Sequence, residues 1–179
     1  MLRGRFGRPY TYVDRCASTQ RLLDNAAEGA IAVTDEQTEG RGRLGRSWHA
    51  PPGTSLLFSI VLVPTVPAER LAELSLVAGQ AVAEAIAAET GLSPAIKHPN
   101  DVLLGGRKVA GVLAEAAGGR VVVGIGINVS QSADELPPEV PATSLRLAGA
   151  SDVDRAALLA TVLERLEAHY DSWLSGADS

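Results

Sequence analysis

The sequence predicts an α/β chain: a mixed, largely antiparallel sheet with helices packed mainly on one face. Three observations lead there. The glycine pairs Gly105-Gly106 and Gly118-Gly119 separate β-favouring runs and read as hairpin turns. Residues 55–63 are mostly apolar and fit a buried strand. Two longer stretches repeat apolar residues at helical spacing.

In order, residues 10–13 read as a short strand. Ser18 reads as an N-cap for a short helix carrying Leu22 and Leu23, which Gly29 ends. A strand begins at 31–34. Residues 35–53 interleave Gly40, Gly42 and Gly45 with Arg41, Arg43 and Arg46, a composition that predicts a mobile loop. After the strand at 55–63, Pro67 opens a helix with Leu71, Leu74, Ala78, Val82 and Ile86 along one stripe, stopping at Gly91. Strands follow at 95–97, 102–104, 108–114 and 120–127. Residues 134–141 form a proline-rich connection. Ser151 with Asp154 resembles a capping box. The helix after it puts Leu158, Leu159, Val162, Leu163, Leu166, Tyr170 and Trp173 on one face. The tail beyond Trp173 is small and polar and reads as frayed.

The 179 residues suit one domain spanning 1–179 with a single core, drawn from 46% hydrophobic and only 4% aromatic residues. The net charge of -5 argues against broad nucleic-acid binding. No apolar run reads as long enough to span a membrane, and no signal peptide is visible. The lone Cys16 suits a reducing compartment and reads as a small buried residue. A cytoplasmic chain is therefore expected, with no membrane or nucleic-acid partner. Of 16 basic residues only Lys97 and Lys108 are lysines. An ammonium and a guanidinium differ as ligands, so these two positions draw attention.

Four segments could carry chemistry. The stretch 40–46 formally matches G-x-G-x-x-G, but a strand follows it and not the helix a dinucleotide fold needs. Its glycines permit close backbone approach and its arginines suit phosphate, although a solvated basic loop is the plain alternative. Lys97, His98, Pro99, Asn100 and Asp101 end one strand and enter the next, and the hairpin after them returns Lys108 to the same end. Asp101 could orient a lysine or hold magnesium; Asn100 and Asp101 could equally serve the turn. His98 reads as a partly buried turn residue. Gly124 and Gly126, within the run ending at Asn128, suggest a strand face that a flat ligand approaches, or a curved sheet. Ser18, Thr19, Gln20 and Gln37 could bind a polar head group; Ser18 to Gln20 alone read better as a helix start.

Together these segments resemble the biotin–protein ligase family. The resemblance rests on Ser18-Thr19-Gln20, Gln37 with 40–46 and Trp48, Lys97 to Asp101, Arg107 to Gly111, and 124–128. It implies a catalytic domain similar to class II aminoacyl-tRNA synthetases, in which ATP and biotin give biotinyl-adenylate with magnesium and the acyl group passes to a lysine of a biotin carboxyl carrier protein. Carried across, Ser18, Thr19, Gln20, Gln37, Arg41, Gly42, Arg43, Lys108 and Gly111 would contact biotin. Arg41, Arg43, Arg46, Trp48, Lys97, Asn100 and Asn128 would serve ATP or the adenylate, with Trp48 near the adenine. Lys108, Lys97 and Arg43 would be catalytic, and Asp101 is the candidate magnesium ligand. A homodimer is compatible with this reading.

The chain departs from the family in carrying His98 where tryptophan is usual. On this reading a C-terminal β-barrel domain and an N-terminal DNA-binding domain are absent. The rivals are a lipoate or octanoate transferase of the same superfamily and a catalytically weak biotin-binding module.

Overall fold

Alternation along the strands decides which residues face which layer. The computed structural model describes residues 2–176. Seven strands, β1 (Tyr10–Cys16), β2 (Ile31–Gln37), β3 (Ser55–Leu62), β4 (Ala95–Lys97), β5 (Asp101–Leu104), β6 (Arg107–Ala117) and β7 (Arg120–Asn128), form one sheet. Its order is β1-β2-β3-β7-β6-β5-β4. Only β1 and β2 pair in parallel; every other pair is antiparallel, as the hairpin turns require. Gly105 and Gly106 take φ of 56° and 75°, and Gly118 and Gly119 take 60° and 77°, the left-handed pair that a two-residue hairpin favours.

Helices α1 (Leu74–Thr90) and α2 (Arg155–Ser175) pack against each other and cover one face. Into that layer point Ile31, Val33, Leu56, Phe58, Ile60, Leu62, Val123, Ile125 and Ile127, all buried. The second face carries a smaller cluster of Leu23, Ala30, Ala32 and Val61, capped by the 3-10 turn Thr19–Leu23. Covered on both faces, β3 is buried at all eight positions.

Several sequence expectations shift. The helix expected from Pro67 starts as a 3-10 turn, Ala68–Glu73, and becomes α-helical at Leu74. Against the expectation that no apolar run is long enough to span a membrane, the stretch Ala68–Thr90 passes by length and composition alone, with a mean hydropathy of 1.4 over its most apolar window. Half of that window is buried inside the fold. Gly29 does not end the first helical turn, which closes at Leu23; it turns the chain into β2 with φ of 81°. The capping box expected at Ser151 is displaced. Asp154 itself caps α2, accepting from the backbone amides of Ala156 and Ala157, and the capping box lies at Ser132 and Glu135. All seven apolar positions named on the last helix are buried. That helix runs to Ser175 with Gly176 as its left-handed cap; the rest of the tail expected to fray lies outside the described residues.

Candidate active site

The open part of the second face is floored by three glycines in cross-strand register. Gly111 of β6 lies opposite Gly126 of β7, which lies opposite Leu57 of β3; Gly124 lies between Leu113 and Ser59. Residues opposite one another share a face. A flat group fits there only because side chains are missing. A Cβ on Gly126 would stand 2.7 Å from Trp48 Cε2, and one on Gly124 would stand 3.1 Å from Gln20 Nε2. The glycines thus make room for the chain's own Trp48 indole and Gln20 amide, both of which line the inner pocket.

At one end of this floor lie the polar residues. Gln37 Oε1 accepts from the Thr19 backbone amide at 2.8 Å and from Thr19 Oγ1 at 3.2 Å. Thr19 Oγ1 and Ser59 Oγ are 2.7 Å apart. Gln20 Nε2 donates to the Leu113 carbonyl at 3.2 Å. Ser18 holds the N-cap position but makes no side-chain cap bond, so its hydroxyl is spared for the pocket it lines. Ser59 was not anticipated; the signal was a serine inside an apolar strand, four residues from Ser55 and so on the same face.

Cations lie at the mouth. Lys108 Nζ is 2.8 Å from Asp101 Oδ1 and 5.5 Å from the centre of the Trp48 ring. Its backbone is fixed on both sides: Lys108 N donates to Pro141 O and Thr143 N to Lys108 O, each at 2.8 Å. Lys97 lies directly opposite Asp101 in the β4–β5 register, so both lysines flank one carboxylate on one face. Arg41 Nη2 reaches Gln20 Oε1 at 3.3 Å and Glu115 Oε2 at 2.8 Å. Arg43 Nη1 donates to Asn100 Oδ1 at 3.3 Å.

The glycine–arginine stretch is a closed hairpin. Gly42 N donates to Arg46 O at 2.7 Å and Trp48 N to Gly40 O at 2.9 Å. Leu44 at its tip is 89% exposed and left-handed, with φ of 57°, a costly conformation for a leucine. The hairpin's root is fastened by Asp35, whose carbonyl accepts from Gly53 N at 3.1 Å. The Asp35 carboxylate accepts from Tyr12 Oη and Arg155 Nη1, each at 2.8 Å. Burial pushes the Asp35 carboxyl upward, but the hydrogen bonds from Arg155 and Tyr12 outweigh it and leave the pKa below 3.8. The Tyr12 phenol is pushed up to about 12, chiefly by its bond to Asp35.

A depressed carboxyl contributes stability above its unfolded-state pKa and loses it as pH falls through the folded value. Asp35→Asn should therefore lower the denaturant midpoint relative to wild type at neutral pH, and the gap should close as pH drops from about 5 to below 3.8. Chemical denaturation across that range reads it directly; a pH-independent gap would contradict it.

Two spaces meet at this mouth. The inner one is lined by Ser18, Thr19, Gln20, Gln37, Arg41, Gly42, Arg43, Trp48, Lys108, Gly111 and Gly126. It measures about 50 Å³, room for roughly one or two waters. The outer cleft, about 1120 Å³, lies between the hairpin and residues 135–142 and is lined by Arg43, Arg46, Trp48, Lys97, Asn100, Asp101, Lys108 and Asn128. Every residue expected at the site thus borders one space or the other.

Burial corrects the expectations for His98 and Cys16, and the placement of Trp48 and Asn128 adds detail to theirs. Trp48, expected near the adenine, lies on the glycine floor of the inner pocket and also lines the outer cleft. Asn128 turns its amide inward: Nδ2 donates to Thr143 O at 3.0 Å, and Oδ1 accepts from Gln131 Nε2 at 3.1 Å. His98 is exposed in the turn before a cis proline, not partly buried. Cys16 is half-buried, and burial pushes its thiol pKa up.

Fold and site together define an α/β domain in which a polar-ended pocket opens into a cationic cleft. The chain belongs to the Biotin/lipoate A/B protein ligase family, whose profile matches residues 11–132. A Mycobacterium tuberculosis relative, biotin–[acetyl-CoA-carboxylase] ligase, is 41% identical over 161 residues, covering 85% of this chain and 60% of its own length. The bifunctional ligase/repressor BirA of Bacillus spizizenii is 37% identical over 181 residues, covering 94% and 56%. The chain thus spans little more than half the length of these relatives. Among solved structures, biotin protein ligase from Aquifex aeolicus in complex with biotin and ATP superposes with a TM-score of 0.84 at 39% identity, covering 92% of this chain and 71% of that one.

Proposed function

We propose that this chain joins biotin to ATP as biotinyl-adenylate and hands the biotinyl group to a lysine of a carrier protein. The observation that carries the reading is the junction of the two spaces: a pocket with a polar end, lined by Arg41, meets a large cleft where Lys108, Lys97 and Arg43 gather. In the first step a biotin carboxylate oxygen attacks the α-phosphorus and pyrophosphate leaves. Both reactants are anions, and fixed cations offset their repulsion. In the second step a lysine amine attacks the acyl carbonyl and AMP leaves.

The ureido ring would lie among Ser18, Thr19, Gln20 and Gln37, which offer both donors and acceptors. That polar end favours biotin over lipoate or octanoate, whose tails end without comparable hydrogen-bonding groups. Relatives with the ligase names above support the same choice.

Magnesium would arrive with the triphosphate, held by phosphates and one carboxylate, as that ion commonly is in nucleotide sites. Asp101 can supply the carboxylate, and it already carries Lys108. Among the described residues no group of three His, Cys, Asp or Glu side chains stands ready for a resident ion.

The test is ATP-dependent transfer of labelled biotin to a biotin carboxyl carrier domain by this chain alone. Labelled carrier is expected; biotin binding with no pyrophosphate release would mean a binding module instead. Arg43→Gly should release adenylate about tenfold faster or more, since a hydrogen bond to a charged group at the lid is lost. Leakage of labelled adenylate from a pre-formed complex measures it, and undiminished retention would contradict the role.

A further inference from the structure

We infer that Gln131 is a positioning residue for Lys108, acting through a buried chain of amides that ends on the Lys108 main chain. The inference rests on the place given to Lys108 in the proposed reaction. Gln131, Asn128, Ser55, Thr143 and Ser144 are all buried and form a polar patch. Gln131 Nε2 donates to Ser55 Oγ at 2.6 Å and to Asn128 Oδ1 at 3.1 Å. The second bond orients the Asn128 amide, whose Nδ2 donates to the Thr143 carbonyl at 3.0 Å. Thr143 N then donates to Lys108 O, and Lys108 N to Pro141 O, each at 2.8 Å. Ala142, between them, bridges to Lys108 in parallel sense.

Lys108 needs this support. The pairing of β7 with β6 reaches only to Ala110, so the segment 141–143 stands in for β7 beside the lysine. On its other side the ladder is irregular, with a register shift between Val102 and Leu103, the residue that pairs with Lys108. A purely space-filling role fits Gln131 poorly. Its Oε1 is buried without a partner, a cost that an apolar side chain of similar size would avoid. The two donations from Nε2 account for an amide at this place.

Gln131→Met keeps the approximate volume and removes both donations. The chain has only two lysines, so labelling lysine Cε with an NMR-active carbon gives two signals, which Lys97→Arg assigns. The Lys108 ammonium lies 5.5 Å from the centre of the Trp48 ring, whose ring current marks the Lys108 signal. Gln131→Met should move that signal toward the position of a free lysine and leave the Lys97 signal in place. Ser55→Ala removes one acceptor of the same amide. It should move the signal the same way by less, and it carries the test if Gln131→Met does not fold. At saturating biotin and ATP, Gln131→Met should slow exchange of label between pyrophosphate and ATP about tenfold. In a Lys108→Ala background the same change should slow it less than about twofold, because no ammonium is left to position. A merely structural role would cost the same in both backgrounds.

A Lys108 signal that stays in place in the folded variants overturns the inference. So does an equal loss of exchange with and without the lysine. If the signal moves but the wild-type chain exchanges no label, the positioning stands and the proposed reaction fails.

Discussion

Lys108→Ala is expected to cut biotin-dependent pyrophosphate release by at least about a hundredfold while the protein stays folded. The ammonium stands where both spaces meet, bordering the inner pocket and the outer cleft. Removing it takes away a fixed positive charge, and it also leaves Asp101 Oδ1 without the ion partner now 2.8 Å away. A carboxylate then faces two further anions, and the barrier rises from both causes. The fold should survive because the segment is held by main-chain bonds to Pro141 and Thr143, which alanine keeps. Pyrophosphate release, read beside a thermal melt, decides it. Lys108→Ala with Asp101→Asn should recover part of the loss if the orphaned carboxylate contributes. Unchanged release in the single variant would remove Lys108 from the chemistry.

Gly126→Ala should weaken biotin binding about ten- to hundredfold, the effect of overpacking by one methyl group at a closed contact. The new Cβ would lie 2.7 Å and 2.8 Å from Trp48 Cε2 and Cζ2, closer than real contacts allow. Gly126 pairs with Gly111 and Leu57 in ordinary strand register, so alanine suits the backbone and the conflict is confined to the indole. Trp48 must lift, carrying with it the hairpin whose Gly40 carbonyl it bonds. Calorimetric titration with biotin measures the loss. Wild-type affinity in this variant would mean that the indole does not form the wall.

Much of this arrangement was legible in the residues because short-range rules decide it. Glycine pairs demand hairpins, and the two predicted turns fell where the φ values are positive. The stripe from Leu158 to Trp173 repeats at helical spacing and is buried throughout. The two lysines drew attention by rarity, and sheet register brought them to either side of Asp101. What escaped depended on contacts distant in sequence. Nothing near Arg155 announces that it donates to Asp35 and to the Ser55 carbonyl. Residues 141–143 hold the backbone of Lys108, a link across more than thirty positions that no local pattern carries. The helical start at Pro67 and the cap at Ser151 were misplaced because propensity does not fix helix ends as well as helix bodies. The partners of Asn128, Gln131 and Thr143, flank the proline-rich connection on either side, and no local pattern announces these bonds.

The most direct measurement is isotope exchange between pyrophosphate and ATP, with this chain as the sole protein present. Exchange reports formation of the acyl-adenylate itself, without a carrier protein or a second step. Label should enter ATP when biotin is added, and not with lipoate or octanoate. No exchange with biotin, or equal exchange with all three acids, would contradict the proposal that this cluster of cations brings biotin and ATP together.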